Sequence, residues 1–148
     1  MSELLLVVTI GGRRAAIRAA DVQSVVELDT VIPVPRAPAF VAGLAALRSR
    51  ALTVIDCARS LELPFVGPAV DAALPVVAVV ELDGHLYGLR VDAVDDVVAS
   101  AGAWAELRAV PEGGWKRAAL GVAETPAGPL IVVDIAALVA GPPAQAAA

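Results

Sequence analysis

The chain has 148 residues, the length of one compact domain, and 58% of them are hydrophobic whereas only 3% are aromatic. Its formal net charge of −5 and the lack of a Lys/Arg stripe argue against a nucleic acid as partner, because such binding requires the neutralisation of many phosphates. Acidic residues interrupt every apolar run before it reaches the length of a membrane span, and no basic start marks a signal peptide. The single cysteine, Cys57, excludes an internal disulfide and a thiolate metal cluster. We therefore expect a cytoplasmic protein without membrane insertion.

The first elements along the chain form a predicted β-hairpin. Two apolar runs flank Gly11-Gly12, and a two-residue turn needs the positive φ angles that glycine adopts readily. The segment 7–26, VVTIGGRRAAIRAADVQSVV, aligns without a gap on the segment 79–98, VVELDGHLYGLRVDAVDDVV, where Asp83-Gly84 takes the place of the two glycines. Such self-similarity indicates that one structural unit occurs twice. We call residues 7–58 the first repeat and residues 79–136 the second repeat.

A second predicted hairpin closes each repeat, within the aligned segments GLAALRSRALTVIDCA and GVAETPAGPLIVVDIA. It joins residues 43–48 to 51–55 in the first repeat and residues 119–124 to 129–133 in the second. Each hairpin ends at an aspartate, Asp56 or Asp134, that precedes residues with helical leanings. A carboxylate at this position accepts hydrogen bonds from the free amides of a first helical turn. Both aspartates are therefore predicted N-caps rather than catalytic acids.

These elements predict an all-β fold with short helical turns and a short C-terminal helix. Closure removes the exposed edges of small sheets, so each repeat is expected to form a small barrel and the two barrels to share one hydrophobic core. The first barrel is placed at about residues 13–70 and the second at about 74–140. The N-terminal strand is a candidate to pair with the second barrel, and residues 141–148 form a tail.

The residues that catalysis requires are missing. The only histidine, His85, follows the Asp83-Gly84 turn, where side chains usually face water. The sequence has no nucleophile elbow, zinc-protease motif or phosphate-binding glycine loop. Asp92, Asp95 and Asp96 lack the glycine turn and distal acid of a calcium loop. We therefore predict no catalytic residue, no metal site and no cofactor, and interpret Cys57 as a small buried apolar residue.

Paired valines suggest a docking groove for another protein. Val22 and Val25, and their repeat equivalents Val94 and Val97, are spaced three apart, which brings side chains to one face if the segment makes a helical turn. The same spacing in a strand sends them to opposite faces. We assign the groove to Val22 and Val94, with Val97 beside it and the acidic Asp95 orienting an apolar partner helix. The alternative is that these valines belong to the barrel core.

Three further residues are predicted to bind partners. Arg48 lies at the turn of the second hairpin and is expected to brace the binding face, the alternative being a solvated loop arginine. Gly43 and Gly121 are repeat equivalents that each begin an apolar strand. Because glycine otherwise weakens a strand, we expect close backbone approach there, either between the barrels or to a partner.

Four segments in order resemble the CheW family of bacterial chemotaxis coupling proteins, over about residues Leu4 to Leu138. They are LLLVVTIGGRRAAI with ADVQSVVEL, then PVPRAPAFVAGLAALRSRALTVIDCARSLEL, YGLRVDAVDDVV and ALGVAETPAGPLIVVDIAAL. The resemblance implies two intertwined five-stranded barrels of the Src-homology type and no enzymatic activity. It also implies an adaptor that joins the cytoplasmic tips of methyl-accepting chemoreceptors to the regulatory domain of the histidine kinase CheA.

The chain departs from the family pattern at Ser24, Ala46, Ser49 and Thr53. These departures suggest a specialised paralogue and leave two alternatives open. One is a CheW-like interaction module of another pathway, such as type IV pilus signalling. The other is a small-molecule binder at the junction of the barrels.

Overall fold

We describe the chain from a computed structural model, which defines residues 3–63, 76–109 and 113–142. The barrel limits placed at residues 70 and 74, and most of the tail predicted at 141–148, lie outside these residues. The strands are β1 (Leu4–Ile10), β2 (Arg13–Arg18), β3 (Val22–Glu27), β4 (Val41–Leu47), β5 (Arg50–Asp56), β6 (Val76–Leu82), β7 (His85–Val91), β8 (Ala93–Ala99), β9 (Ala101–Ala105), β10 (Ala119–Thr125) and β11 (Gly128–Val133). The helices are a 3-10 turn (Ala19–Asp21), α1 (Cys57–Ser60), α2 (Trp115–Ala118) and α3 (Ile135–Ala140).

The predicted hairpin turns are present. Gly11 and Gly12 have φ angles of 59° and 83°, and Asp83 and Gly84 have φ angles of 51° and 79°. Two successive positive φ angles define the turn that matches the twist of the flanking strands. The register of β1 with β2 and of β6 with β7 follows directly from these turns.

Two sheets contain all of these strands. The six-stranded sheet has the order β8-β1-β2-β11-β10-β9, and the five-stranded sheet has the order β3-β6-β7-β5-β4. The first hairpin of each repeat lies in a sheet with strands of the other repeat, through the parallel pairs β2-β11 and β5-β7. The prediction of two intertwined, barrel-type sheets is confirmed, although one sheet has a sixth strand, β9, instead of five.

The barrel limits expected from the sequence do not describe this exchange of hairpins. β2 begins at Arg13 but lies beside β11, and β6 and β7 lie between β3 and β5. The N-terminal strand β1 pairs with β8 of the second repeat. The limits 13–70 and 74–140 assign each repeat to one barrel. In the structure, the first hairpin of each repeat lies in the same sheet as the second hairpin of the other repeat. Hairpins with the same turn and the same apolar pattern can pair in either sheet.

Buried side chains form a shared core and two inner cores. The shared core contains residues from both sheets, such as Val8 and Ile17 on one side and Ile55 and Leu89 on the other, together with Trp115. One inner core draws on four strands of the five-stranded sheet, and the other draws on β1, β2, β10 and β11 of the six-stranded sheet. Each sheet therefore curls around its own inner core and presents its second apolar face to the shared core.

Short helices cover one end of the shared core. The Asp56 carboxylate accepts a hydrogen bond from the Arg59 amide at 3.2 Å, and the Asp134 carboxylate accepts one from the Ala136 amide at 3.0 Å, so these aspartates cap α1 and α3. The predicted C-terminal helix is α3. Within residues 3–63, 76–109 and 113–142, every helix is too short or too polar to cross a membrane.

Candidate functional site

The valine pairs lie in strands, so the helical turn expected for them is wrong. β3 and β8 are edge strands of the two sheets. Val22 and Val94 are partly buried and pack against the shared core. Val25 and Val97 point away and are 42% and 48% exposed. The period of two along a strand separates residues three apart, which is why the pairs do not form one groove wall.

Alanine substitutions separate the two members of each pair. Val22→Ala and Val94→Ala are expected to lower the free energy of unfolding by about 1–2 kcal/mol, because each removes apolar surface that packs on the shared core. Val25→Ala and Val97→Ala are expected to change it by less than about 0.5 kcal/mol. Urea denaturation of the four variants measures the difference, and equal midpoints for all four would show that Val22 and Val94 are not core residues.

Asp95 belongs to an irregular part of the β8 edge. The pairing of β1 with β8 shifts register between Leu6 and Val8, opposite Asp95 and Asp96. The Arg14 guanidinium lies 3.4 Å from the Asp95 carboxylate, and both side chains are largely exposed. A bulge and charges are common devices that keep an edge strand from pairing with another chain. Asp95 therefore has a structural partner of its own, in addition to its predicted role with a partner protein.

Gly43 and Gly121 are sites of close approach within a sheet. Each follows a register shift, in β4 and in β10, and their φ angles are +152° and +158°. A Cβ atom on Gly43 would overlap the main-chain carbonyl of Ile32. A Cβ atom on Gly121 would lie 3.0 Å from the carbonyl oxygen of Ala105. Close backbone approach is thus present at both glycines, but a neighbouring segment of the same sheet makes it, and not the other barrel as one alternative expected. Contact of these glycines with a partner stays a prediction.

Arg48 is exposed at the turn between β4 and β5. Its φ angle is 49° and that of Ser49 is 70°, so this hairpin has the same turn geometry as the two predicted from glycine. Arg50 follows on the first residue of β5 and is also exposed. Two exposed arginines at one strand end give this part of the five-stranded sheet a positive surface. Arg48 lies at the β4 edge, at the opposite end of the strand order from Val22.

A cross-strand row that is exposed at the β4 edge and reaches the shared core at β6 runs over the five-stranded sheet. Successive pairings connect Ile32 to Leu44, Leu44 to Thr53, and Thr53 to Tyr87, and the row continues over the buried Val80 to Val22. Ile32 is 64% exposed and Leu44 is 42% exposed. We call these five partly or fully exposed residues, Ile32, Leu44, Thr53, Tyr87 and Val22, the Leu44 row. An apolar strip of this kind on a small domain is typical of a protein-binding surface.

His85 joins this row at its polar part. Its Nε2 atom lies 3.0 Å from Thr53 Oγ1, and its ring centroid lies 4.8 Å from that of Tyr87. The side chain is exposed, as the position after a turn predicts. The hydrogen bond orients Thr53, and the ring contact places His85 beside Tyr87. Sequence reasoning missed Ile32, Leu44 and Tyr87 because the row exists only after separate segments of the chain have paired.

The two repeats differ at the Leu44 row. The equivalent row of the six-stranded sheet passes through Val122, Ile131 and Ala15 to Val94. Thr53 corresponds to Ile131 and Tyr87 corresponds to Ala15, and both of these equivalents are buried in the shared core. Residues 53 and 87 are therefore partly exposed in the five-stranded sheet, whereas their equivalents are buried in the six-stranded sheet. The two sheets thus differ in the surface that they expose at this row.

The described residues offer few groups for metal binding or nucleophilic catalysis. Among residues 3–63, 76–109 and 113–142, no three His, Cys, Asp or Glu side chains are grouped so as to hold a metal ion. Cys57 is fully buried, and this burial, with the nearby Asp56 and Asp92 carboxylates, raises the pKa of its thiol. The thiol is therefore protonated and weakly nucleophilic. A groove of about 550 Å³ between Phe40, Arg59 and Ala140 lies beside the helices that cover the shared core.

Comparisons with known proteins agree with this architecture. A family model described as CheW-like domain matches residues 4–142. The crystal structure of the scaffolding protein TtCheW from Thermoanaerobacter tengcongensis is similar, with a TM-score of 0.77 and 24% sequence identity, over 91% of this chain and 86% of that chain. Similarity at this level of identity concerns the fold. None of the curated proteins matches the sequence.

Proposed function

Because the chain belongs to the CheW-like domain family, we propose that it is a non-enzymatic chemotaxis adaptor, which joins the cytoplasmic tip of a chemoreceptor to the regulatory domain of the kinase CheA. The adaptor acts in the cytoplasm and needs no cofactor. Its family membership is the observation that carries the proposal. Two intertwined sheets that expose different surfaces suit a protein that contacts two different partners.

The Leu44 row is the proposed receptor-binding surface. Ile32 and Leu44 offer exposed apolar side chains, and Thr53, Tyr87 and His85 offer polar groups beside them. An amphipathic helix buries its apolar face in such a surface and places its polar residues at the rim. The exposed Arg48 and Arg50 lie at the end of the same edge, so acidic residues on the receptor helix are expected next to them.

A matched pair of leucines tests this surface. Leu44 and Leu120 are both 42% exposed in strands, but Leu120 lies in β10, outside the Leu44 row. Leu44→Glu is expected to weaken binding of a receptor-tip fragment at least about tenfold, because a charge replaces a central apolar contact. Leu120→Glu is the control and is expected to bind like the parent. Isothermal titration provides the affinities, and equal loss in both variants, or in neither, would exclude the Leu44 row.

The departures from the family pattern favour one second candidate, a CheW-like module of another signalling pathway. Thr53 lies in the Leu44 row itself, Ala46 follows Leu44 by two positions in β4, and Ser49 shares the turn with Arg48. Changes concentrated on the docking surface are expected to change the partner rather than the fold. Recovery of a receptor of another pathway without CheA, in a pull-down with the parent chain, would support this candidate over the first.

A further inference from the structure

The C-terminal helices of the two repeats meet at equivalent residues. Ser60 ends α1 and Leu138 lies in α3, and the two positions correspond in the alignment of the repeats. The Ser60 hydroxyl donates a hydrogen bond to the Leu138 carbonyl at 2.7 Å, and both residues are fully buried. The approximate twofold relation between the repeats therefore passes through this contact.

Arg117 of α2 bridges the same two helices. Its Nη1 donates to the Ala137 carbonyl of α3 at 3.0 Å, and its Nη2 donates to the Ser60 carbonyl of α1 at 2.6 Å. Both carbonyls lie in the last turns of their helices, where a cation interacts favourably with the helix dipole. In the part of the chain that the structure describes, no carboxylate lies within ion-pair distance of Arg117. The planar guanidinium is therefore committed to main-chain groups of both repeats.

The bridge has no counterpart in the first repeat. The Asp56 amide donates to the Phe40 carbonyl as the Asp134 amide donates to the Ala118 carbonyl, so Ala39, which has no side-chain donor, takes the place of Arg117 in the first repeat. Gly114 provides the space for the bridge, because a Cβ atom there would lie 2.8 Å from Nη2 of Arg117. A single arginine thus connects the two helices that follow the last strands of the two repeats.

We propose that Arg117 is a positioning residue, which holds the two sheets in one relative orientation so that two partners can be bound at once. This inference rests on the proposed adaptor function for its biological meaning. The guanidinium touches neither the Leu44 row nor the exposed strand edges. Its effect passes through α1 and α3, which contact each other and lie over the shared core. A lysine at this position supplies the charge but not the fork that reaches two carbonyls.

The orientation can be measured without any partner. Ser49 and Ala127 are exposed residues in equivalent turns of the two sheets, and Ser49→Cys with Ala127→Cys provides two sites for spin labels. The native Cys57 is buried and its thiol stays protonated, so it resists labelling. Double electron–electron resonance is expected to give a narrow distance distribution for the parent, a broadened and shifted one for Arg117→Gln, and an intermediate one for Arg117→Lys. The control Lys116→Gln, on the exposed neighbour, is expected to match the parent.

Binding measurements complete the test. Arg117→Gln is expected to retain the parent affinity for the receptor-tip fragment and for the CheA regulatory domain taken singly, and to lose formation of the three-component complex. A distance distribution for Arg117→Gln that matches the parent would overturn the inference, whatever the binding results. Failure of the parent chain to bind either partner would instead contradict the proposed function and leave the spin-label result as the test of the bridge. Equal loss of both single affinities would show that Arg117 is needed for general folding rather than for orientation.

Discussion

Trp115→Ala is expected to lower the free energy of unfolding by about 3–5 kcal/mol, the largest effect of any single substitution considered for this chain. Trp115 is 1% exposed and is the largest fully buried side chain. Trp115 extends from α2 into the shared core, which contains residues from both sheets. Truncation to alanine leaves a cavity that the surrounding strands cannot fill, because they are fixed by pairing on both sides.

Urea denaturation of Trp115→Ala and of Trp115→Phe measures this effect. The phenylalanine variant is the control, since it retains an aromatic ring in the same site and is expected to lose less than half as much stability. The second tryptophan, Trp104 in β9, still reports on folding by fluorescence in both variants. A parent-like midpoint for Trp115→Ala would mean that α2 does not pack into the shared core.

Gly43→Ala is expected to destabilise the chain by about 2–4 kcal/mol, because it combines a strained φ angle with the loss of hydrogen bonds between β4 and Ile32. The Ile32 amide and carbonyl each form a 2.8 Å hydrogen bond with Leu44, the residue after Gly43. A Cβ atom on Gly43 would collide with that same carbonyl, and main chain cannot rotate away as a side chain can.

Two other glycines calibrate this prediction. Gly121→Ala is expected to cost less than Gly43→Ala, since its Cβ atom would meet the Ala105 carbonyl oxygen at 3.0 Å without overlap. Gly128→Ala, at φ +96° in open space, isolates the backbone strain and is expected to cost about 1–2 kcal/mol. Thermal unfolding ranks the three variants. A lower melting temperature for Gly128→Ala than for Gly43→Ala would contradict the close approach of Ile32 to Gly43. A Gly43→Ala variant that keeps the parent melting temperature but no longer binds partners would show that Gly43 contacts a partner instead.

The local parts of the fold could be predicted from the sequence. Gly11-Gly12 and Asp83-Gly84 specify two-residue turns, and the alternation around them specifies strands. Asp56 and Asp134 mark where strands give way to helices, because an aspartate before a helix satisfies its first amides. The repeat then predicts that the same unit occurs twice and shares a core. The turns and caps depend on residues close together in the chain, and the repeat depends on a direct comparison of two segments of the sequence.

The pairing between repeats could not be predicted in the same way. β2-β11 and β5-β7 are parallel pairs between residues far apart in sequence, and the apolar pattern of either first hairpin fits both sheets. The sequence does not predict β9, because Ala-Gly-Ala-Trp-Ala lacks both an alternation of apolar and polar residues and β-branched residues. The groove predicted at Val22 and Val94 requires a helical turn, and a spacing of three to Val25 and Val97 does not distinguish such a turn from a strand.

The Leu44 row and the Arg117 bridge show two further limits of prediction from the sequence. The Leu44 row is assembled from five segments, so its members are recognisable only by their exposure in the folded chain. Arg117 donates its hydrogen bonds to main-chain carbonyls. Every residue has such a carbonyl, so the residue types at those positions do not indicate the contact. Arg48, in contrast, is exposed at a turn in the structure as in the prediction, and its part in partner binding stays a prediction.

Cosedimentation of CheA with receptor-bearing vesicles tests the adaptor role most directly. The receptor and the kinase are taken from the same genome as the chain, and CheA is measured in the pellet with and without the chain. The parent chain and Leu120→Glu are expected to bring CheA into the pellet, whereas Leu44→Glu is expected to leave it in solution. CheA that sediments to the same extent with and without the parent chain would contradict the account, as would a parent chain that binds the vesicles and leaves CheA behind.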